Sequence, residues 1–178
     1  MINLLTPFMA LADIGFLLSL TVHILALAGL LPPGGEAVFG LHIGIFVVWL
    51  PAVLVSIRLN RGQRTRNSWK QMLAGCPDWM RYAVMGLFAY AFLNFFIAFS
   101  GEQAGRGHGS QLSPSTLRGF SGHWMLFYGM AFCILFSAFR KPWLLSVAKC
   151  PAGHEVAHSD TFCPNCGKPI PPRHTSVG

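Results

Sequence analysis

The sequence predicts an all-α membrane protein: a four-transmembrane-helix bundle followed by a small cytosolic module that carries cysteines. Three observations lead there. Hydrophobic residues make up 53% of the 178 and charged residues only 11%, with a mean hydropathy of +0.50, which is too apolar for an ordinary soluble domain. Four apolar runs approach the ~20 residues that an α-helix needs to cross a hydrocarbon core. Behind the last run, Cys150, Cys163 and Cys166 cluster in a polar tail.

The runs lie at about 8–31, 37–59, 82–99 and 120–139, within a membrane domain spanning 1–140. Inside lipid the backbone must satisfy its own hydrogen bonds, so each run is predicted to be a helix. Between the first two, LPPGGE at 31–36 is a set of helix breakers that predicts a tight antiparallel hairpin. Gly40 and Gly44 form a G-x-x-x-G step that permits close helix approach, with His42 pointing to nearly the opposite side. Pro51 predicts a kink in the same helix.

Loop charges set the orientation. The 58–81 segment carries Arg58, Arg61, Arg64, Arg66, Lys70 and Arg81 against the single acid Asp78, which places it on the cytoplasmic side. Both termini then lie inside, in agreement with Arg140, Lys141 and Lys149 after the last run. Trp69, Trp79 and Trp143 are expected near the inner interface and Trp124 near the outer one, as an aromatic belt. SWKQMLAGCPDWMRY within 58–81 suits an amphipathic helix lying on anionic headgroups, or a basic topology determinant without lipid specificity. The chain starts without a basic n-region, so no cleaved signal is expected, and a bacterial inner membrane suits such a multi-pass protein. The net charge of +7 is accounted for by these loops, which disfavours nucleic acid as a partner.

Ionisable groups inside a span are costly and mark candidate sites. His23, His42 and His123, with Asn94, are predicted at similar depth towards the outer side. Three uses stay open: axial ligation of a b-type haem, a copper or zinc ion, and a quinone headgroup or proton path. The alternative is that each side chain only fixes helix packing. The FSGHWMLFYG stretch opening the fourth helix sets His123 beside Trp124 and a flexible glycine at the mouth of that site, or is an interface anchor with a packing histidine, and Cys133 further along is read as a small packing residue.

The tail supplies the sharpest motif. Cys150 and His154 stand four apart in CPAGH, Cys163 and Cys166 three apart in CPNCG, and eight residues join the two pairs. That spacing suits one tetrahedral ion. His158 is a rival for the fourth ligand position. Three thiolates and an imidazole around a dication leave one net negative charge, which Lys149 and Lys168 are placed to offset, and Phe162 is expected to cover the metal. A redox dithiol at CPNC, iron in a rubredoxin-like site and an unmetallated tail are the competing readings. Residues 149–169 resemble the zinc-ribbon family, in a short version with one His among its ligands. The resemblance implies a structural Zn2+ and a small β-hairpin module; the first knuckle departs from the commoner Cys-x2-Cys. Residues 170–178 read as a disordered end.

No Gly-x-Ser-x-Gly, His-Glu-x-x-His or phosphate loop appears, so no catalytic residue is predicted. The sequence therefore favours a membrane scaffold, interaction or regulatory subunit that presents the ribbon to a protein partner at the cytoplasmic face. A redox subunit built on the histidines is the second reading, and a small transporter or channel acting as a homo-oligomer the third.

Overall fold

In the computed structural model, residues 4–60, 68–104, 113–146, 148–156 and 160–171 are described here. Five helices form: α1 (Leu5–Leu27), α2 (Gly40–Leu59), the short α3 (Ser68–Met72), α4 (Asp78–Ala104) and α5 (Pro114–Arg140). Two short strands follow, β1 (Ala148–Lys149) and β2 (Glu155–Val156). Four helical segments are long and apolar enough to cross a membrane: Leu5–Leu27, Gly35–Leu59, Asp78–Ala98 and Pro114–Arg140. They support a multi-pass membrane protein.

The four segments match the apolar runs, but their ends differ because backbone capping, not hydropathy, stops a helix. α1 ends at Leu27, where Gly29 (φ 72°) and Leu30 turn back their amides onto Ala26 O and Leu25 O in a Schellman closure. α5 starts six residues before the predicted 120, because Ser113 accepts a hydrogen bond from the Thr116 amide at 3.1 Å and Pro114 opens the first turn. The 31–36 hairpin forms as expected, closing through a 3-10 turn at Gly35–Phe39. α2 runs unbroken through Pro51.

α5 is the centre of the bundle. It packs against α1, α2 and α4, while α1 and α2 also touch each other. Its buried side includes Gly119, Ser121, Gly122, Ala131, Ser137 and Ala138, small residues that let three helices approach one. Large side chains on the other helices, such as Ile43, Phe46, Leu93 and Phe96, point outward and are exposed, as lipid-facing positions would be.

Two ends of the bundle are useful landmarks. The hairpin end holds the α1–α2 and α4–α5 connections; the terminal end holds the α2–α4 connection and the exit of α5. At the terminal end the structure corrects the amphipathic-helix expectation. SWKQMLAGCPDWMRY contains only the five-residue α3, then a turn, then the start of α4. That turn is tucked against α5: the Gly75 amide donates to Ser137 Oγ at 2.8 Å, Cys76 Sγ to Cys133 O at 3.1 Å and Lys141 Nζ to Ala74 O at 3.0 Å. A Cβ at position 75 would run into the Ser137 backbone, so glycine is what allows the contact. Arg81 closes the turn by donating to Leu73 O and Ala74 O and pairs with Asp78 at 3.1 Å. Arg61, Arg64 and Arg66 lie outside the described residues.

Candidate metal centre and helix-borne histidines

Beyond the 3-10 turn at Pro142–Leu145, β1 and β2 pair antiparallel, with Ala148 opposite Val156 and Lys149 opposite Glu155. The turn between them is the first knuckle. Cys150 N donates to His154 O at 3.0 Å and Gly153 N to Cys150 O at 2.9 Å, with Gly153 at φ 83°. The second knuckle repeats the device: Cys163 N donates to Lys168 O at 2.9 Å and Gly167 N to Cys163 O at 2.8 Å, with Gly167 at φ 67°. Both positions need the left-handed backbone that glycine tolerates.

The knuckles bring Cys150 Sγ, His154 Nδ1, Cys163 Sγ and Cys166 Sγ within 4.8 Å of one another. A tetrahedral ion held about 2.3 Å from sulfur would set neighbouring ligand atoms about 3.8 Å apart. The observed separations fit: 3.8 Å for Cys150 Sγ to Cys166 Sγ, 3.6 Å for Cys150 Sγ to His154 Nδ1 and 3.8 Å for Cys163 Sγ to His154 Nδ1. The four residues can hold a metal ion, and a Cys3His set is consistent with zinc. Burial pushes the Cys150 thiol up, but the amides of Ala152 and His154, helped by the Cys163 and His154 side chains, outweigh it and bring it down to about 6. Those amides favour the thiolate that a metal needs.

Phe162 does not cover this centre. It is 62% exposed, bridged through its backbone to Pro169. Ala148 and Val156 from the strands pack with Cys150 and Cys163, and Ile170 closes the cluster. The alternation of the strand pair turns Ala148 and Val156 inward and Lys149 and Glu155 outward. His158 lies outside the described residues.

The predicted polar group at the hairpin end divides into two. His23 is buried between α4 and α5, with both ring nitrogens taken: Nδ1 lies 2.8 Å from Ser121 Oγ and Nε2 lies 2.5 Å from Tyr90 OH. Ser121 gives its own proton to Leu117 O at 2.6 Å, so its oxygen must accept from His23 Nδ1–H. His23 Nε2 is then the acceptor for the Tyr90 hydroxyl. Asn94 belongs to the same region. It donates to Arg118 O at 2.8 Å and accepts from Arg118 Nε at 2.7 Å, a reciprocal clamp between α4 and α5.

His42 and His123 stand apart from that cluster, on the α2–α5 side. They line a groove of about 330 Å³ with Ile45, Phe46, Trp49 and Phe127. His42 Nδ1 accepts from Trp124 Nε1 at 3.0 Å, and the His123 ring is tilted over Phe127 with centroids 4.5 Å apart. Two expectations change here. Trp124 is fully buried at 0% exposure, enclosed by the bundle instead of presented outward as an aromatic belt would have it, because it lies on the buried side of α5 about three turns after Pro114. Gly44 and His42 also face the same neighbour: Gly44 lies under the Tyr128 hydroxyl, which donates to Leu41 O at 2.7 Å, and both partners are on α5. Gly40 has nothing packed over it.

Tyr90, Ser121, Arg118 and Trp49 were not singled out by the sequence. Ser121 is inside the FSGHWMLFYG stretch, and Arg118 precedes it; Tyr90 and Trp49 resemble ordinary lipid-facing aromatics until their partners are placed. Comparison of the chain with protein-family models, with curated proteins and with solved structures finds no match.

Proposed function

We propose that this chain is a polytopic membrane protein that presents a structural zinc ribbon at the cytoplasmic face, as a scaffold, interaction or regulatory module. The observation that carries the reading is the closed Cys3His set. All four tetrahedral positions are supplied by Cys150, His154, Cys163 and Cys166, which leaves no open position for a substrate or water. Such a site organises a fold instead of performing chemistry. So few apolar residues surround it that the ion is the main source of the module's stability.

The cytoplasmic placement and a bacterial inner membrane are supported by the basic residues at the terminal end, including Arg58, Lys70, Arg81, Arg140 and Lys141. There they also favour anionic headgroups, and thiolates keep their reduced form in the cytosol. The exposed strand side with Lys149 and Glu155 and the exposed Phe162 are the surface offered to a protein partner.

The hydrogen bonds weigh against a haem or copper site on the histidines. His23 has no free nitrogen, and His42, accepting at Nδ1, carries its proton on Nε2 and cannot offer that nitrogen as a neutral ligand. The transporter reading draws no support from Pro51, since α2 is continuous there.

Elemental analysis of the detergent-purified protein with a visible spectrum is the test. One equivalent of zinc and no chromophore is the expected result; haem or copper would overturn it. A reporter fused after Gly178 that proves extracytoplasmic would invert the orientation and remove the argument for a reducing compartment.

A further inference from the structure

The α2–α5 groove gathers hydrogen-bond donors that no acceptor among the described residues takes up. The indole N–H of Trp124 can only donate, so its bond to His42 Nδ1 at 3.0 Å fixes the His42 tautomer with its proton on Nε2. Among the described residues that N–H meets no acceptor. Trp49 Nε1 is buried and likewise has no hydrogen-bond partner, although Trp49 lines the same groove. An indole N–H normally finds an acceptor when buried. His123 completes the wall, its ring held by Phe127, and among the described residues no charged side chain lines the groove.

Neutral donors between flat aromatic walls select a flat, neutral acceptor, not a phosphate or a metal ion. We propose that this groove binds the headgroup of a lipid-soluble quinone, with His42 and Trp49 donating to its two ring carbonyls. The spacing agrees. His42 and Trp49 are seven residues apart on one helix, about 10.5 Å along its axis, and their side chains lean the same way along it. Two para carbonyl oxygens about 5 Å apart, each extended by an N–H···O bond of about 2.9 Å, span about 11 Å. Phe46 and Phe127 offer faces for the ring. Phe46 is exposed on the lipid-facing side, so the ring and its hydrocarbon tail can enter from the bilayer without crossing water. This inference is independent of the zinc reading, because the groove is at the hairpin end and needs no metal.

Isothermal titration of the full-length protein in detergent with decylubiquinone tests it, with a decyl-substituted benzene lacking carbonyls as competitor. Saturable binding of one equivalent is expected, not displaced by the competitor. Trp49→Phe keeps an aromatic ring beside Phe127 while removing the N–H along with part of the indole, and should weaken binding at least about five-fold, as loss of one hydrogen bond does. His42→Leu should do the same, and Trp124→Phe should weaken binding more mildly by freeing the His42 ring. A melting temperature on each sample identifies a variant that has failed to fold, and His123→Gln, on a half-buried position, then replaces it. Non-saturable uptake, equal affinity in Trp49→Phe and wild type, or displacement by the carbonyl-free competitor overturns the proposal.

Discussion

Trp124 on α5 donates its indole N–H to His42 Nδ1 on α2 at 3.0 Å, and the bond lies where Trp124 is completely enclosed. Removing the acceptor leaves a buried donor without a partner, which costs more than the bond itself contributes. His42→Leu is therefore expected to lower stability by about 1–3 kcal/mol, and Trp124→Phe by about 1 kcal/mol from the bond alone. A double-mutant cycle measured by denaturant unfolding in detergent should return a coupling of roughly 0.6–2 kcal/mol. Strict additivity would mean that the pair does not interact.

Cys163→Ser and Cys166→Ser should each drop bound zinc well below one equivalent, and a chelator should do the same to the wild type. Far-UV circular dichroism should keep nearly all its helical signal in these samples, because the ribbon's two strands are a small part of the chain. Loss of helix on chelation would tie the ion to the bundle and contradict this division.

Zinc should be held at neutral pH and released on acidification. The backbone amides lower the Cys150 thiol from its ordinary value to about 6, so its contribution is full above the ordinary thiol range, declines as pH falls from there, and is lost once pH passes below about 6. Bound ion itself lowers that point further. Zinc release followed by a colorimetric indicator should rise as pH falls below about 6; release on raising the pH from 7 to 9 would be the wrong sign.

Gly75→Ala should destabilise by about 1–3 kcal/mol, in the range of overpacking changes, because a Cβ there meets the Ser137 backbone. Gly40→Ala, on the same protein but with nothing above it, should be neutral or slightly stabilising. Similar melting temperatures for the two variants would rule out the docked turn.

Much of the bundle was legible because lipid-spanning helices advertise themselves by the lack of charge over a fixed length. Their ends were less legible. Ser113 and Pro114 are a readable cap in hindsight, but apolar content rises only at Phe120, so the first turns of α5 were missed. The convergence of Cys150, His154, Cys163 and Cys166 was legible because metal geometry constrains their spacing, whereas the placement of Phe162 depended on which strand face turns inward. The histidines show the opposite limit. Position along a helix can be counted from sequence, but azimuth relative to neighbours cannot, so His23 and His42, grouped by position, face different partners.

The central position of α5 has a consequence for biogenesis. It is the last of the four long helices to leave the ribosome, yet it supplies partners for the polar groups of the other three: Ser121 for His23, Trp124 for His42, and Arg118 for Asn94. Until it inserts, His42 and Asn94 lack the partners that α5 supplies, and His23 has only Tyr90 of α4. A chain that ends before Pro114 would lack these α5 partners for His42 and Asn94.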